Sequence, residues 1–298
     1  MVKFTELKIK LEFLTRGHLP RWLGSYFYKG VRYHLKKLVC DQDYKCNECK
    51  LKGECIYYQI FEKEFGSKAR YPPIRPLIFV PPFYSEWTDF LKGQILEVKQ
   101  IGFRNQVEWT PFIIIALNEM GEEGFAGKSD QFKNRFRVLE IKDYRTGLKV
   151  YENDSFYYKN ITFNDTDNLS CRCGKEVQIE FPVPFVISKE KNKKITLAEI
   201  LKEVRLRLIN IENEYGTGKK IENFNLEEEI ILQEIKRERL LYKRGKINFR
   251  LNTIRGNVLY KIKKIDEQAK WLLCVGKHIG GGRNASFGCG FYDYNIIN

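Results

Sequence analysis

Six glycines fall between residues 276 and 290, in the run Gly276-Lys277-His278-Ile279-Gly280-Gly281-Gly282-Arg283-Asn284-Ala285-Ser286-Phe287-Gly288-Cys289-Gly290. Glycine lacks a Cβ, so it tolerates positive φ and lets other atoms approach the peptide plane closely. A stretch this rich in glycine is a loop, and the rest of the chain has to present it. Backbone N–H groups exposed in such a loop suit phosphate oxygens, with Lys277 and Arg283 supplying charge. The simpler alternative is a tight hairpin that needs glycine for its geometry alone. The two cations among the glycines favour an anion-binding loop.

A chain of 298 residues suits two domains of ordinary size, and a 43% hydrophobic fraction supports a core in each. Lys and Arg number 52 against 38 Asp and Glu, a net charge of +14 that points to a polyanionic partner. Aromatic residues at 14% offer stacking surfaces for unpaired bases, and equally ordinary core material. The opening residues carry no apolar signal core, and the longest apolar run, Phe112–Leu117, is far short of a membrane span. A soluble, cytoplasmic protein is expected.

Eight cysteines are too few and too uneven for a secreted disulfide scaffold. Four of them crowd into Cys40-x5-Cys46-x2-Cys49-x5-Cys55. Four thiols with a central CxxC can wrap one tetrahedral ion, and a structural zinc is the expected occupant. Free thiols or two disulfides are the alternatives, the latter disfavoured in an ordinary cytosol. Cys171-x-Cys173 reads as a pair of spare thiols.

Residues 3–14 alternate polar and apolar, with Phe4, Leu7, Ile9, Leu11 and Phe13 marking a strand face after one slip. Pro20 is expected to open a helix that runs to about Val39 and buries Leu23, Phe27, Val31, Leu35 and Leu38. His34 stands at the margin of that stripe. Gly30, one turn earlier, is expected to leave space above the imidazole, and Lys37 sets a cation beside it. Arg32, Tyr33 and Lys36 occupy the remaining surface. A histidine so placed is either a half-buried packing residue or an acid–base group. Further on, Phe90–Phe103 reads as a strand, and Val107–Met120 as a helix burying Trp109, Phe112, Ile113, Ala116, Leu117 and Met120. Phe136–Ile141 is a closing strand after a glycine turn. Strand, helix, one or two strands, helix, strand is the split βαβ, or ferredoxin-like, order.

A turn-rich stretch begins at residue 144, which sets the expected domains at 1–147, with the cysteine-rich insertion at 40–55, and 148–298. Val177–Ile187 reads as a strand bent by Pro182 and Pro184. Thr196 and Glu199 form a capping box for a helix that buries Leu197, Leu201, Val204, Leu208 and Ile211. Glu227–Tyr242 carries a helical stripe of Ile231, Ile235 and Leu240. Lys246–Ile265 reads as a hairpin turning near Arg255-Gly256-Asn257. Arg250 and Arg255 belong to a basic run with few compensating acids, so phosphate contact is expected there. A short helix from Asp266 to Val275, the glycine loop and a last strand complete the chain. The second half thus repeats the order of the first. The expected fold is α+β, with tandem ferredoxin-like (RRM-like, βαββαβ) domains and a C-terminal glycine-rich loop.

Three motifs coincide in one known family. They are His278-Ile-Gly280 through Ser286-Phe287-Gly288-Cys289-Gly290, the stretch from Gly30-Val-Arg32-Tyr33-His34 to Cys40 that leads into the clustered cysteines, and Leu206-Arg207-Leu208 followed by Glu214-Tyr215-Gly216. Together they resemble the repeat-associated RAMP endoribonucleases of CRISPR systems, the Cas6 family, over nearly the whole chain. The resemblance implies antiviral defence through metal-independent cleavage of CRISPR precursor RNA within the repeat. The ribose 2′-OH attacks the adjacent phosphate and leaves a 2′,3′-cyclic phosphate and a 5′-OH. That chemistry needs a base, an acid and cations, and no cofactor. His34 matches the catalytic histidine that family members often carry on the first helix. Lys37 or Lys36 would stabilise developing charge, and Tyr33 or Tyr26 would orient the nucleotide. His278 is a rival acid–base group and His18 a weaker one.

The same resemblance assigns RNA contacts to Arg32, Lys36, Lys277, His278, Gly280, Gly281, Gly282, Arg283, Asn284, Ser286, Arg250 and Arg255. Implied partners are single-stranded or hairpin repeat RNA and subunits of a CRISPR effector complex. The chain is expected as a monomer or homodimer away from membranes. A non-catalytic RAMP-type RNA-binding subunit shares every one of these features except the need for His34. The formal dinucleotide match Gly280-x-Gly282-x-x-Ala285 is not expected to open the βαβ unit such a site requires, and no GxxxxGK[ST] occurs.

Overall fold

The first alternating segment of the sequence becomes the central strand of a sheet. The computed structural model describes residues 2–40, 45–63, 74–104, 106–125, 133–186, 194–244, 247–282 and 284–297. In it Lys3–Phe13 forms β1 and buries Leu7, Ile9, Leu11 and Phe13 on one face. Helix α1 spans Gly24–Val39. Leu77–Val80 is β2, Ile95–Phe103 is β3, Gln106–Glu123 is α2 and Phe136–Asp143 is β4. β1 pairs antiparallel with β3, from Phe4↔Phe103 to Glu12↔Ile95, and on its other side with β4. β2 adds to the far edge of β3. The resulting order is β2-β3-β1-β4, with both helices contributing to one apolar core.

The two helices meet closely because of one residue. A Cβ on Gly30 would lie 2.4 Å from Met120 Sδ, so α1 approaches α2 only where the side chain is missing. The space above His34 that Gly30 was expected to open is therefore filled by Met120. Leu23, Phe27, Val31 and Leu35 are buried as expected, whereas Leu38 and Phe112 are exposed. Nor does Pro20 open α1. The segment before the helix is extended, with Trp22 bridged to Phe83 and the Tyr84 N–H donating to Arg21 O.

A further strand, β5 (Lys149–Glu152), pairs with β4, so residues after 147 continue the first sheet. The chain divides between Asn164 and Asp165, with Val2 joining the second unit. The boundary expected after 147 thus falls inside the first unit, because the turns at 144–147 join two paired strands.

The second unit is built from β6 (Glu176–Val186), α3 (Leu197–Tyr215), β7 (Leu226–Arg244), β8 (Ile247–Ile265), α4 (Glu267–Ile279) and β9 (Asp293–Ile297). Its antiparallel sheet runs β7-β8-β6-β9, which is the strand order of the first unit. Local chemistry explains α3. The Thr196 side chain accepts from the Glu199 N–H and Glu199 accepts from the Thr196 N–H, satisfying two donors that the first turn leaves unpaired. β6 bends as expected, its register with β8 shifting between Phe181 and Phe185, where Pro182 and Pro184 bring no N–H to the ladder.

The stretch expected as a helix from Glu227 is instead β7, one arm of a hairpin whose strands are 19 residues each. Its register with β8 skips Ile231 between Ile230 and Leu232. That bulge changes the phase of the two-residue alternation, so Ile231 lies exposed while Ile235 is half-buried. The turn expected at Arg255-Gly256-Asn257 is likewise interior strand, Gly256 pairing with Ile235 and with Phe181. Gly256 has φ +116°, and a Cβ there would lie 2.1 Å from Glu234 O. Among the described residues, no helix is long and apolar enough to cross a membrane.

Candidate functional site

On α1, the residues expected to be catalytic divide between two neighbours. His34 is only 5% exposed, its Nε2 3.7 Å from Glu123 Oε2 at the end of α2. Lys37 Nζ reaches the other oxygen of the same carboxylate at 3.3 Å. His34 Nδ1 is buried with no hydrogen-bond partner among the described residues. Burial pushes the imidazole below its ordinary value, Lys37 adds to that, and Glu123 and Glu119 oppose it. Tyr33 is exposed and meets the His34 ring edge-on at 5.0 Å. His34, Lys37 and Tyr33 are thus brought together, with Glu123 as a fourth member that sequence reading missed. Glu123 lies 86 residues from Lys37, and no local pattern marks it.

Arg32 and Lys36 turn the other way. Arg32 Nε donates to the Tyr57 hydroxyl at 3.1 Å, and its guanidinium also binds Glu62, which accepts from Tyr57 at 2.7 Å. Burial works against the Arg32 charge, but these partners outweigh it and raise its pKa. Lys36 Nζ sits 5.8 Å from the centre of the Tyr57 ring. Both cations therefore anchor the turn Tyr58–Glu62 to α1.

The thiols of Cys40, Cys46, Cys49 and Cys55 are partly exposed, and no disulfide joins them. Burial raises the Cys46 thiol, with Glu62, Cys40 and Cys55 acting on it in part. Cys46 and Cys55 pack against the core of the first unit. Among the described residues, no group of three His, Cys, Asp or Glu side chains is drawn together to hold a metal ion.

The glycine run is a buried junction over much of its length. α4 ends where Gly280 adopts φ +75° and its N–H caps Gly276 O. The N–H groups of Gly281 and Gly290 donate to Gly290 O at 2.7 Å and Pro184 O at 2.8 Å, and that of Gly282 to Glu203 O at 3.4 Å. These donors, expected to face phosphate, are spent inside the protein, binding the loop to β6 and α3. Beneath them Arg207 of α3 is buried and donates from Nε to Ile279 O at 2.7 Å. Burial pulls its guanidinium down to about 10. Asn284 and Ser286 remain half-exposed, and Arg283 lies outside the described residues. Lys277 pairs with Asp293 at 3.0 Å, and His278, half-buried in the last turn of α4, helps lower the Cys274 thiol, which is lowered chiefly by a hydrogen bond from Cys171.

On the long hairpin Arg250 is exposed, whereas Arg255 is largely buried and bound to Glu238 at 3.2 Å. Lys236 pairs with Glu238 and Lys263 with Glu229. The basic run is thus more compensated than its sequence suggests, because Glu229 and Glu238 of β7 pair with cations both across to β8 and along β7. The third histidine, His18, lies on a short two-stranded ladder of the first unit, half-exposed and bound through Nδ1 to Asp89 at 2.7 Å.

Two α+β units with antiparallel sheets define a Cas6-like fold. Solved structures with it include a Cas6 product complex (TM-score 0.56, 13% identity, 98% of this chain and 100% of that one). Thermus thermophilus Cas6 aligns at TM-score 0.50 and 12% identity over 99% of each chain. A Cas6-related protein from Pyrococcus furiosus gives 0.50 and 13%, covering 99% of this chain and 100% of that one. The chain belongs to the AF_1859 family, whose N-terminal domain matches residues 2–166 and whose C-terminal domain matches residues 177–294. An uncharacterized protein of Archaeoglobus fulgidus is 30% identical over 293 residues, 98% of this chain and 97% of that protein.

Proposed function

We propose that the chain is a metal-independent endoribonuclease that cleaves CRISPR precursor RNA within the repeat to release guide RNAs. The observation that carries this reading is the Cas6-like fold over essentially the whole chain, built from two βαββαβ units in the ferredoxin-like strand order. Net charge supports an RNA partner, at +14. The nucleophile is the substrate's own 2′-OH, so the protein has to supply proton transfer and charge stabilisation. An imidazole suits the first task near neutral pH. Within the expected RNA-contacting set, Arg32 and Arg250 are exposed, and Lys36, Lys277, His278, Asn284 and Ser286 are half-exposed.

Incubating the full chain with repeat RNA in EDTA tests the reading. The expected result is cleavage at one position, with a 2′,3′-cyclic phosphate on the upstream product, and none with a 2′-deoxy nucleotide at that position. Cleavage that stops on chelation, or survives 2′-deoxy substitution, removes it. One observation favours a second reading, a non-catalytic RNA-binding subunit: the burial of His34 leaves little of its ring for substrate. RNA binding without cleavage is its signature. A similar fold forms part of a larger chain in a Cas6-RT-Cas1–Cas2 complex, 46% of which this chain covers at TM-score 0.52. Assembly with other CRISPR proteins is accordingly part of the proposal.

A further inference from the structure

A short two-stranded antiparallel ladder of the first unit carries a group of side chains arranged as an acid–base device. Gly17–Leu19 pairs antiparallel with Thr88–Phe90, and the register sets His18 directly opposite Asp89. His18 Nδ1 lies 2.7 Å from Asp89 Oδ1. The hydrogen bond from His18 is the chief cause that holds the Asp89 carboxyl below its ordinary range, so the carboxylate is ionised and can only accept. Against that carboxylate Nδ1 is the donor, which makes Nε2 the unprotonated nitrogen of the neutral ring. Trp87 stacks on the imidazole, ring centres 5.0 Å apart at 15°, and is itself 53% exposed. Arg16 Nη2 lies 3.6 Å from Asp89 Oδ2, adding a cation to the same edge. The His18 N–H donates to Asn134 Oδ1 at 2.6 Å, which fixes the backbone that carries the ring.

We propose that His18, positioned by Asp89, is the acid–base group of RNA cleavage, with Trp87 the platform on which a base beside the scissile phosphate stacks. This rests on the nuclease reading above and takes the chemistry away from His34. Exposure separates the two: the His18 side chain is 40% exposed and that of His34 5%. So does orientation, since His34 Nδ1 has no partner among the described residues and His18 Nδ1 has a carboxylate. In the reaction Nε2 takes the 2′-OH proton as O2′ bonds to phosphorus. The phosphorus–O5′ bond breaks, and the imidazolium returns the proton to O5′, so protons balance and no oxidant or reductant enters. Asp89 stabilises the imidazolium between the two transfers. Arg16 lies on the edge where charge builds up on the phosphorane. The plainer reading is a cross-strand ion pair that only holds two short, sequence-distant strands together.

The test uses the full chain and repeat RNA from the genome that encodes it, in EDTA. His18→Gln keeps a hydrogen-bonding side chain opposite Asp89 but cannot exchange protons. It is expected to lower kcat at least about 100-fold with RNA affinity unchanged, and His18→Gly to regain part of its rate when imidazole is added. Asp89→Asn lowers kcat with KM unaltered and Asp89→Glu recovers most of it, a split that a structural ion pair does not produce. Trp87→Ala raises KM. A His18→Gln protein that melts like the parent and cleaves at the parental rate overturns the assignment and leaves the nuclease reading standing. So does abolition of cleavage by His34→Gln with His18→Gln unaffected. A parent protein that binds the RNA and never cuts it removes both.

Discussion

At position 34 the fold buries an imidazole and leaves one of its nitrogens without a hydrogen-bond partner among the described residues. A buried polar atom without a partner costs about 1–3 kcal/mol, and burial lowers the pKa of the ring. The sign of the pH effect follows. The unfolded chain protonates this histidine near the ordinary value of about 6.5, while the folded chain resists until lower pH. Stability is therefore fully present above that value and is lost as pH falls below it. His34→Leu removes both the orphan nitrogen and the titration. Thermal melts at pH 7, 6 and 5 should show the leucine variant at least as stable at pH 7, with a shallower loss toward pH 5. A steeper loss contradicts the buried, neutral histidine. Sequence reading set His34 at the margin of the α1 stripe correctly. It offered half-burial as one alternative and missed its extent, because Gly30 reads as open space until Met120 of α2 is known to fill it. The His18–Asp89 pair was illegible for a similar reason, its partners being 71 residues apart.

Among the elements, those fixed by near neighbours were the readable ones. The capping box of α3 uses Thr196 and Glu199 alone, and its buried face of Leu197, Leu201, Val204, Leu208 and Ile211 keeps an unbroken period. β7 was misread because one bulge at Ile231 broke its period, and because Glu, Lys and Arg compose a charged helix as readily as a charged ribbon. Gly256 shows what holds that ribbon to the sheet. It combines a backbone conformation that L side chains avoid with a backbone oxygen where a Cβ would stand. Gly256→Ala should cost about 1–3 kcal/mol. Urea unfolding is expected to show a lower midpoint, and hydrogen exchange to speed up for the amides of β8 near 256. A variant with the parental midpoint would mean that the chain relaxes around the methyl group at no cost.

At the scale of the molecule, each unit closes its own sheet in the same strand order, and among the described residues the core cluster of the first is drawn from Leu7–Ile161. The fragment Lys3–Asn164 is therefore expected to fold unaided and to melt cooperatively. A broad, non-cooperative melt would show that the first unit needs the second. The repeated strand–helix order was legible in sequence. The dividing point was not, because β5 hides in a stretch rich in turn-forming residues. One tie crosses that order. The Val2 N–H donates to Thr166 Oγ1 and Val2 O accepts from the Thr166 N–H, a clasp between residues 164 positions apart. During synthesis Val2 leaves the ribosome long before its partner exists, while β1, beginning one residue later, can already pair within the first unit. The second unit is thus completed by a residue that precedes the whole of the first. A bulky tag joined directly to Val2 would burden the second unit and not the first, which Val2 adjoins in sequence.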